Sequence, residues 1–242
     1  MVVIPALNEA PCIAATVESW LALRVAKVRV IDNGSTDDTA AIARASGAEV
    51  VAEPQRGYGA AAWRGLQNWP ADVTWVIFSS ADGSDHLNAS EIDSWQAAID
   101  AGADLVVGDR VSNVDSRAEL KWIQRFGNWI VCEAIRHGWN ARFADMGSLR
   151  LMRHSALMRL NLADRGFGWN VEMQVRAIEQ SWKIVEIPVR YFPRLAGTSK
   201  ISGTLSGTIR AAKAMIGMLL FLWMLRRQAR ARRQNSSLPA GT

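Results

Sequence analysis

The chain has 242 residues, 49% apolar and 21% charged. That suffices for an α/β domain with a buried core and excludes a disordered or fibrous protein. Two cysteines, Cys12 and Cys132, and three scattered histidines, His86, His137 and His154, exclude a disulfide framework, a four-thiolate zinc site and a histidine-built metal centre. The net charge of +5 is unevenly spread: residues 187–242 hold ten basic residues and no acid, so residues 1–186 are net negative. An acidic body with a basic tail suits a membrane surface or another polyanion.

The chain opens directly on an apolar strand, with no charged leader or cleavage site, so no secretory signal is expected. β-rich runs at 1–5, 27–32, 48–52, 73–79 and 103–108 predict strands, and alanine-rich stretches at 10–23, 36–46, 59–68 and 88–101 predict helices between them. This alternation predicts an α/β domain with a doubly wound, mostly parallel sheet, whose ligands sit beyond the carboxyl ends of the strands.

Motifs fall where that rule puts them. Pro5-Ala6-Leu7-Asn8-Glu9 follows the first strand and Asp32-Asn33-Gly34-Ser35 the second. Ser35 or Thr36 suits an N-cap, and Asp37 and Asp38 suit the positive end of a helix dipole. Turn chemistry accounts for Gly34 through Asp38 but not for Asp32, an acid ending an apolar strand and able to accept hydrogen bonds from a nucleotide. Gly57-Tyr58-Gly59-Ala60-Ala61-Ala62 fits the loose dinucleotide pattern, but it follows the third strand rather than the first. It reads better as a tight turn beside a substrate, with Arg56 available to a phosphate. After the fourth strand, Ser80-Ala81-Asp82-Gly83-Ser84-Asp85 offers either an aspartate-glycine turn or a divalent-cation site with Asp82 and Ser84 as oxygen ligands.

The second half changes character. Residues 119–137 predict an amphipathic helix with Trp122, Phe126, Trp129, Ile130 and Ala134 on one side and Lys121, Arg125, Asn128 and Arg136 on another. The basic stripe is either an acceptor site or a solvated face. A strand at 147–153, a helix at 170–181 and a strand at 183–189 follow, then the loop 194–203. The apolar run 214–225 has twelve residues, short of the roughly 20 of a spanning helix, so no transmembrane span is predicted. It either caps the core or lies in a membrane interface. Arg226, Arg227, Arg230, Arg232 and Arg233 follow it and account for the whole net charge.

Taken together, these segments resemble the family 2 glycosyltransferases with the GT-A fold. The segments are VVIPALNEA (2–10), VIDNGSTDDT (30–39), EPQRGYGAAAWRG (53–65), SSADGSD (79–85), GDR (108–110), FADMGSLRLMRHSAL (143–157), GWNVEMQVRAIEQSWKIVEIPVRY (168–191) and GTSKISGT (197–204). The order is the family's, and the nearest branch looks like the dolichyl/polyprenyl-phosphate sugar transferases, which carry a similar R-x-x-G-x-S-K segment, here Arg194 to Lys200.

The resemblance implies a glycosyltransferase domain over 1–208 and an apolar helix with a basic tail over 209–242. It places Pro5, Leu7, Glu9 and Asp32 around the nucleotide, with Gly34, Arg56 and Gly57 beside them. Asp82 falls on the last acid of the D-x-D motif, which binds Mg²⁺ or Mn²⁺ and the diphosphate. Ser80 stands where the first acid is usual, Asn33 replaces a frequent acid, and Ser84 sits at a ligand position, so weaker metal binding is expected. Arg110, Arg125 and Lys200 are implied around an acceptor phosphate. Glu172 falls where hydroxyl-accepting relatives often carry a base; the alternative is a helix ion pair to Arg176.

The implied activity is metal-dependent, inverting transfer from a nucleoside diphosphate sugar to a polyprenyl phosphate. The implied place is the cytoplasmic face of a membrane, peripherally bound, with no nucleic-acid partner. The alternatives are a hydroxyl acceptor served by Glu172, or a degenerate nucleotide-sugar binder. A nucleotidyltransferase is disfavoured because no glycine-rich, lysine-bearing loop follows the first strand.

Overall fold

The computed structural model describes residues 1–85, 87–196 and 205–236. The first half alternates as expected: β1 (Val2–Ala6), α1 (Ala10–Ala22), β2 (Val28–Asp32), α2 (Thr39–Ala45), β3 (Glu49–Ala52), α3 (Tyr58–Gly65), β4 (Trp75–Phe78), α4 (Ala89–Asp100) and β5 (Leu105–Asp109). The second half holds α5 (Val114–Glu119), α6 (Trp122–Trp139), β6 (Arg150–Arg153), α7 (His154–Arg159), α8 (Trp169–Glu179), β7 (Ile184–Pro188) and α9 (Leu205–Ser236). The short helices α5 and α7 are additions to the elements expected from the sequence.

The strands form one seven-stranded sheet in the order β3-β2-β1-β4-β6-β5-β7. Only β6 runs against the rest, antiparallel to β4 and β5 on its two sides. Continuous apolar runs such as Val2-Val3-Ile4 mark strands covered on both faces. Alternate side chains divide between two cores. Val2, Ile4 and Val30 meet Ile13, Val17 and Trp20 of α1 and Trp95 of α4. Val3, Ile31 and Phe78 meet Ala61 of α3, Leu157 of α7 and Trp169 and Met173 of α8. A third cluster lies outside the sheet, where Ile135 of α6, Val171 and Val175 of α8, and Leu219 and Leu222 of α9 pack together.

Two expectations for the helices change. Trp122, Phe126 and Trp129 of α6 are 75%, 54% and 58% exposed, and the buried side is Val131, Cys132, Ile135 and Trp139. The helix is apolar on two nearly opposite faces, so periodicity alone could not choose the inner one. Asn128 lies on the inner side, donating from Nδ2 to Ala144 O at 2.9 Å and accepting Met146 N–H at 2.8 Å. The second change is in α9. Its Gly207–Arg232 segment is long and apolar enough to cross a membrane by length and composition, with 17% of its most apolar stretch buried. Arg210 and Lys213 interrupt the apolar sequence of this helix, so its uninterrupted apolar run is shorter than the segment that meets the length and composition of a span.

The loop after β3 shows why its glycines are there. Gly57 has φ of +147°, and a Cβ on it would lie 2.1 Å from the Arg165 carbonyl oxygen; one on Gly59 would lie 2.7 Å from that of Asp164. The first amides of α3 are already used, Gly59 N–H on Gly166 O at 3.0 Å and Ala60 N–H on Arg165 O at 2.9 Å. The glycines therefore let two backbones meet, and this helix start is no dinucleotide cradle. Gly57→Ala is expected to cost at least roughly 1–3 kcal/mol from backbone strain alone. Thermal unfolding checks this, at about 2–4 °C of Tm per kcal/mol.

Candidate active site

The carboxyl ends of β1, β2, β4 and β5 converge on a cleft of ≈ 920 Å³. Its polar end is lined by Pro5, Leu7, Glu9, Asn33, Arg56, Gly57, Asp82, Ser84, Arg110 and Arg194, and it extends between α6 and α9 along Ile123, Ile130, Val131, Ala211, Met215 and Ile216.

The loops after β1 and β2 are tied to each other. Asn8, at φ +51°, donates its N–H to Ser35 Oγ at 2.9 Å and accepts Thr36 N–H at 2.7 Å. Glu9 N–H reaches Thr39 Oγ1 at 2.8 Å, and Ala10 N–H reaches Asp37 Oδ2 at 3.2 Å. Thr39 and Asp37 thus satisfy the start of α1, whereas α2 begins at Asp38 without a side-chain cap; the expected capping by Ser35 or Thr36 is not made there. Asn33 holds the next loop, with Nδ2 on Glu53 O and Gln55 O at 3.0 and 2.6 Å and Oδ1 on Gly57 N–H at 2.8 Å. This explains an amide at that position, since a carboxylate could not donate to two carbonyls. Asp32 accepts Ser35 N–H at 3.2 Å and does not line the cleft. Gly34, at φ +78°, forms the turn over which the Arg56 guanidinium packs.

Asp82 lies at the centre. Its Oδ1 accepts Ser80 Oγ at 2.6 Å, Ser84 Oγ at 2.5 Å and Ser84 N–H at 3.1 Å. Its Oδ2 accepts Arg194 Nη1 at 2.6 Å, and Arg194 Nη2 donates to Glu9 Oε2, also at 2.6 Å. One guanidinium therefore joins carboxylates from the ends of β1 and β4. Burial opposes its charge, but the two carboxylates outweigh that and hold the Arg194 pKa above its ordinary value. Arg194 arrives on the segment 191–196, which crosses the 82–85 turn through Phe192 N–H to Ser84 O at 3.1 Å and Leu195 N–H to Asp82 O at 3.2 Å. Beneath, Asp85 accepts Ser80 N–H and Ser148 Oγ, both at 2.7 Å. Burial pushes its pKa up.

Arg110 lines the cleft as expected and is held by Asp145 through Nε and Nη2 at 2.6 and 2.8 Å. Its guanidinium also stacks over the Tyr191 ring, 5.1 Å from the centroid. Burial works against the Asp145 charge, yet Arg110 keeps its carboxyl below the usual range. Arg125 does not join this group: it lies exposed on α6 and does not line the cleft. Lys200 lies outside the described residues.

Glu172 is also absent from the cleft. It is fully buried, accepting Ala163 N–H at 3.0 Å and Asp164 N–H at 2.8 Å through Oε2, with Oε1 3.6 Å from Arg176 Nη2. The ion-pair alternative is what the fold uses, because α8 turns Glu172 inward to anchor the 163–164 backbone.

The expected cation site is altered as well. Mg²⁺ and Mn²⁺ take oxygen ligands. Here the serine hydroxyls donate to Asp82 instead of facing outward, and a guanidinium fills the gap between Asp82 and Glu9. Among the described residues no group of three or more His, Cys, Asp or Glu could hold a metal ion. So arranged, the protein's own groups do not fit a divalent cation bound without a donor's phosphates. In the sequence Arg194 is one residue of a basic segment; it lies 112 residues from Asp82, and no local pattern announces the pairing. Asn33 as a loop tether and Arg210 on the cleft wall were missed for the same reason.

Comparison with known proteins agrees with this architecture. Residues 1–160 match the model of "Glycosyl transferase family 2". A protein named as an uncharacterized glycosyltransferase of Mycobacterium tuberculosis (strain H37Rv) is 37% identical over 213 residues, 87% of this chain and 93% of that one. The polyprenol monophosphomannose synthase of Mycolicibacterium smegmatis is 25% identical over 226 residues, 84% of this chain and 81% of that one. Among solved structures, glucosyl-3-phosphoglycerate synthase from M. tuberculosis, in complex with Mn²⁺, UDP-glucose and phosphoglyceric acid, superposes with a TM-score of 0.72 at 23% identity, covering 92% of this chain and 78% of that one. A family match over most of the chain, a relative aligned along nearly its whole length and a shared GT-A fold lead to one conclusion: the chain belongs to glycosyl transferase family 2.

Proposed function

We propose that this glycosyltransferase moves a sugar, with inversion, from a nucleoside diphosphate sugar to a polyprenyl phosphate at a membrane surface. The observation that carries the acceptor class is the state of the carboxylates. Glu9 and Asp82 line the cleft and both are paired with Arg194, while Glu172 is sealed in the core. A hydroxyl acceptor needs a general base; a phosphate monoester brings its own anion. The cationic side chains Arg56, Arg110, Arg194 and Arg210 on the cleft wall suit two phosphorylated substrates, and the apolar extension between α6 and α9 suits a prenyl chain. The name of the M. smegmatis relative supports the same class.

In this reading an acceptor phosphate oxygen attacks the anomeric carbon in line. The bond from that carbon to the β-phosphate oxygen breaks, and its electron pair leaves with the nucleoside diphosphate. The acceptor dianion becomes a phosphodiester monoanion while the leaving diphosphate gains one negative charge, so no proton has to move. In the same reading Arg110, fixed by Asp145, binds the acceptor phosphate, and cations near the diphosphate lower the barrier by stabilising the charge that develops there. Divalent cations accompany nucleotides in structural neighbours. In this chain such an ion would have to displace Arg194.

The membrane reading rests on two exposed surfaces. On α6, Trp122, Phe126 and Trp129 stand beside Lys121 and Arg125. On α9, Ile216, Leu220, Phe221, Trp223 and Met224 face outward while Leu219 and Leu222 pack on the body. Arg226 turns back to donate to Gly138 O at 2.8 Å. One side of the apolar stretch, Met215, Met218, Leu219 and Leu222, packs on the body while most of the rest is exposed, so α9 fits lying in an interface better than crossing a bilayer. Anionic headgroups add about 1 kcal/mol per nearby arginine.

Five outcomes test this. Nucleoside diphosphate release from sugar donors should depend on a polyprenyl phosphate and be absent with the unphosphorylated polyprenol; equal rates with both would overturn the acceptor assignment. Arg110→Ala should lose at least about 100-fold in rate, roughly 2.7 kcal/mol. Glu172→Gln, whose amide oxygen still accepts two N–H groups, should stay within about fivefold of the parent rate, under about 1 kcal/mol of barrier, and lower Tm. Finally, the triple variant Trp122→Ser, Phe126→Ser, Trp129→Ser should co-sediment much more weakly with anionic liposomes while keeping its Tm. High salt should release part of the parent protein, because it screens the basic tail.

A further inference from the structure

We infer that Arg194 is the cation that receives the leaving diphosphate in this protein, at the position where a divalent ion would otherwise be expected. The inference rests on the donor reading above and identifies the group that neutralises the donor.

Three observations converge. First, Arg194 is already where such a cation must be, 2.6 Å from Asp82 Oδ2 and 2.6 Å from Glu9 Oε2, on the wall of the cleft. Second, the oxygen donors that would bind a metal are otherwise engaged. Ser80, standing where a second carboxylate would assist Asp82, donates its hydroxyl to it, and so does Ser84. Asp82 is left with no oxygen lacking a donor. Third, the guanidinium is built in. Its backbone lies against the 82–85 turn through the Phe192 and Leu195 amides, and Gly83 leaves room for Leu195, whose Cδ1 would be 2.5 Å from any Cβ at that position.

The chemistry follows from the fork geometry. A guanidinium has more N–H donors than the two carboxylates and the weak Nε contact to Ala196 O at 3.4 Å employ. The remaining donors can bind diphosphate oxygens while the carboxylates fix the orientation. When the anomeric bond breaks, the electron pair stays on the β-phosphate oxygen and the added charge is met by Arg194, which cannot lose its proton at working pH. A divalent cation and Arg194 would then compete for the same carboxylates.

The test is titration calorimetry of UDP and of GDP, separately, in EDTA and in Mn²⁺, with Mn²⁺ alone followed by electron paramagnetic resonance. Expected is binding of one nucleotide by the parent protein in EDTA, with a Kd within about threefold of that in Mn²⁺, a difference under about 0.7 kcal/mol. Arg194→Ala should weaken binding in EDTA by at least about 100-fold, or about 2.7 kcal/mol, and should bind Mn²⁺ alone more tightly than the parent, because Asp82 and Glu9 are released. Arg194→Lys, which keeps the charge and protects the fold, should fall between them. Binding by the parent that requires Mn²⁺, or an Arg194→Ala protein that binds nucleotide normally in EDTA, overturns the inference while leaving the donor reading standing. No nucleotide binding in either condition overturns the donor reading and this inference with it.

Discussion

Both faces of the sheet are covered, and the rest of the molecule follows from that constraint. Val2, Val3 and Ile4 are all fully buried, so β1 has no side on which a polar group could meet water. Glu9, Asp82, Arg110 and Arg194 reach the cleft from loops after the carboxyl ends of β1, β4, β5 and β7, where six parallel strands deliver their loops to one edge. The cleft is the consequence, and its polar groups come from loops that are far apart in sequence and forced together by strand order.

Within the cleft, the central charges are paired. Arg194 joins Glu9 to Asp82, and Arg110 is locked to Asp145. Charges this poorly hydrated persist only when paired and hydrogen-bonded. Such pairing also fixes geometry, since planar forks hold their carboxylates in one orientation. The cleft is therefore preorganised for anions, with cations anchored by buried acids rather than free to move. Among the described residues, both carboxylates on the wall, Glu9 and Asp82, already serve a guanidinium.

The helices outside the sheet solve a different problem. α6 and α9 share a small core with α8, yet each keeps large apolar side chains exposed. Exposed tryptophan and phenylalanine beside lysine and arginine are a composition that suits an interfacial helix. The cleft runs between the same two helices, so its apolar extension is bounded by the elements that carry those exposed side chains.

The order of elements in the first half was legible because strand and helix periods differ and each strand end is marked by Gly, Pro, Asp or Asn. Those marks point to Asp82 and Ser84; the family resemblance adds Pro5, Glu9 and Arg110, which line the cleft, and Asp32, Arg125 and Glu172, which do not. The inner face of α6 was not legible: Trp122, Phe126 and Trp129 make as good an apolar stripe as Val131, Ile135 and Trp139, and only packing against α8 and α9 separates them. Nor was the fate of Glu172, whose acidity reads alike in a core ion pair and in an active site. Arg194 shows the limit most clearly. Local pattern encodes periodicity and turns, which depend on neighbours in the chain; ion pairing depends on neighbours in space. Only the tertiary structure carries the 191–196 segment across the Asp82 turn and sets one guanidinium between two carboxylates.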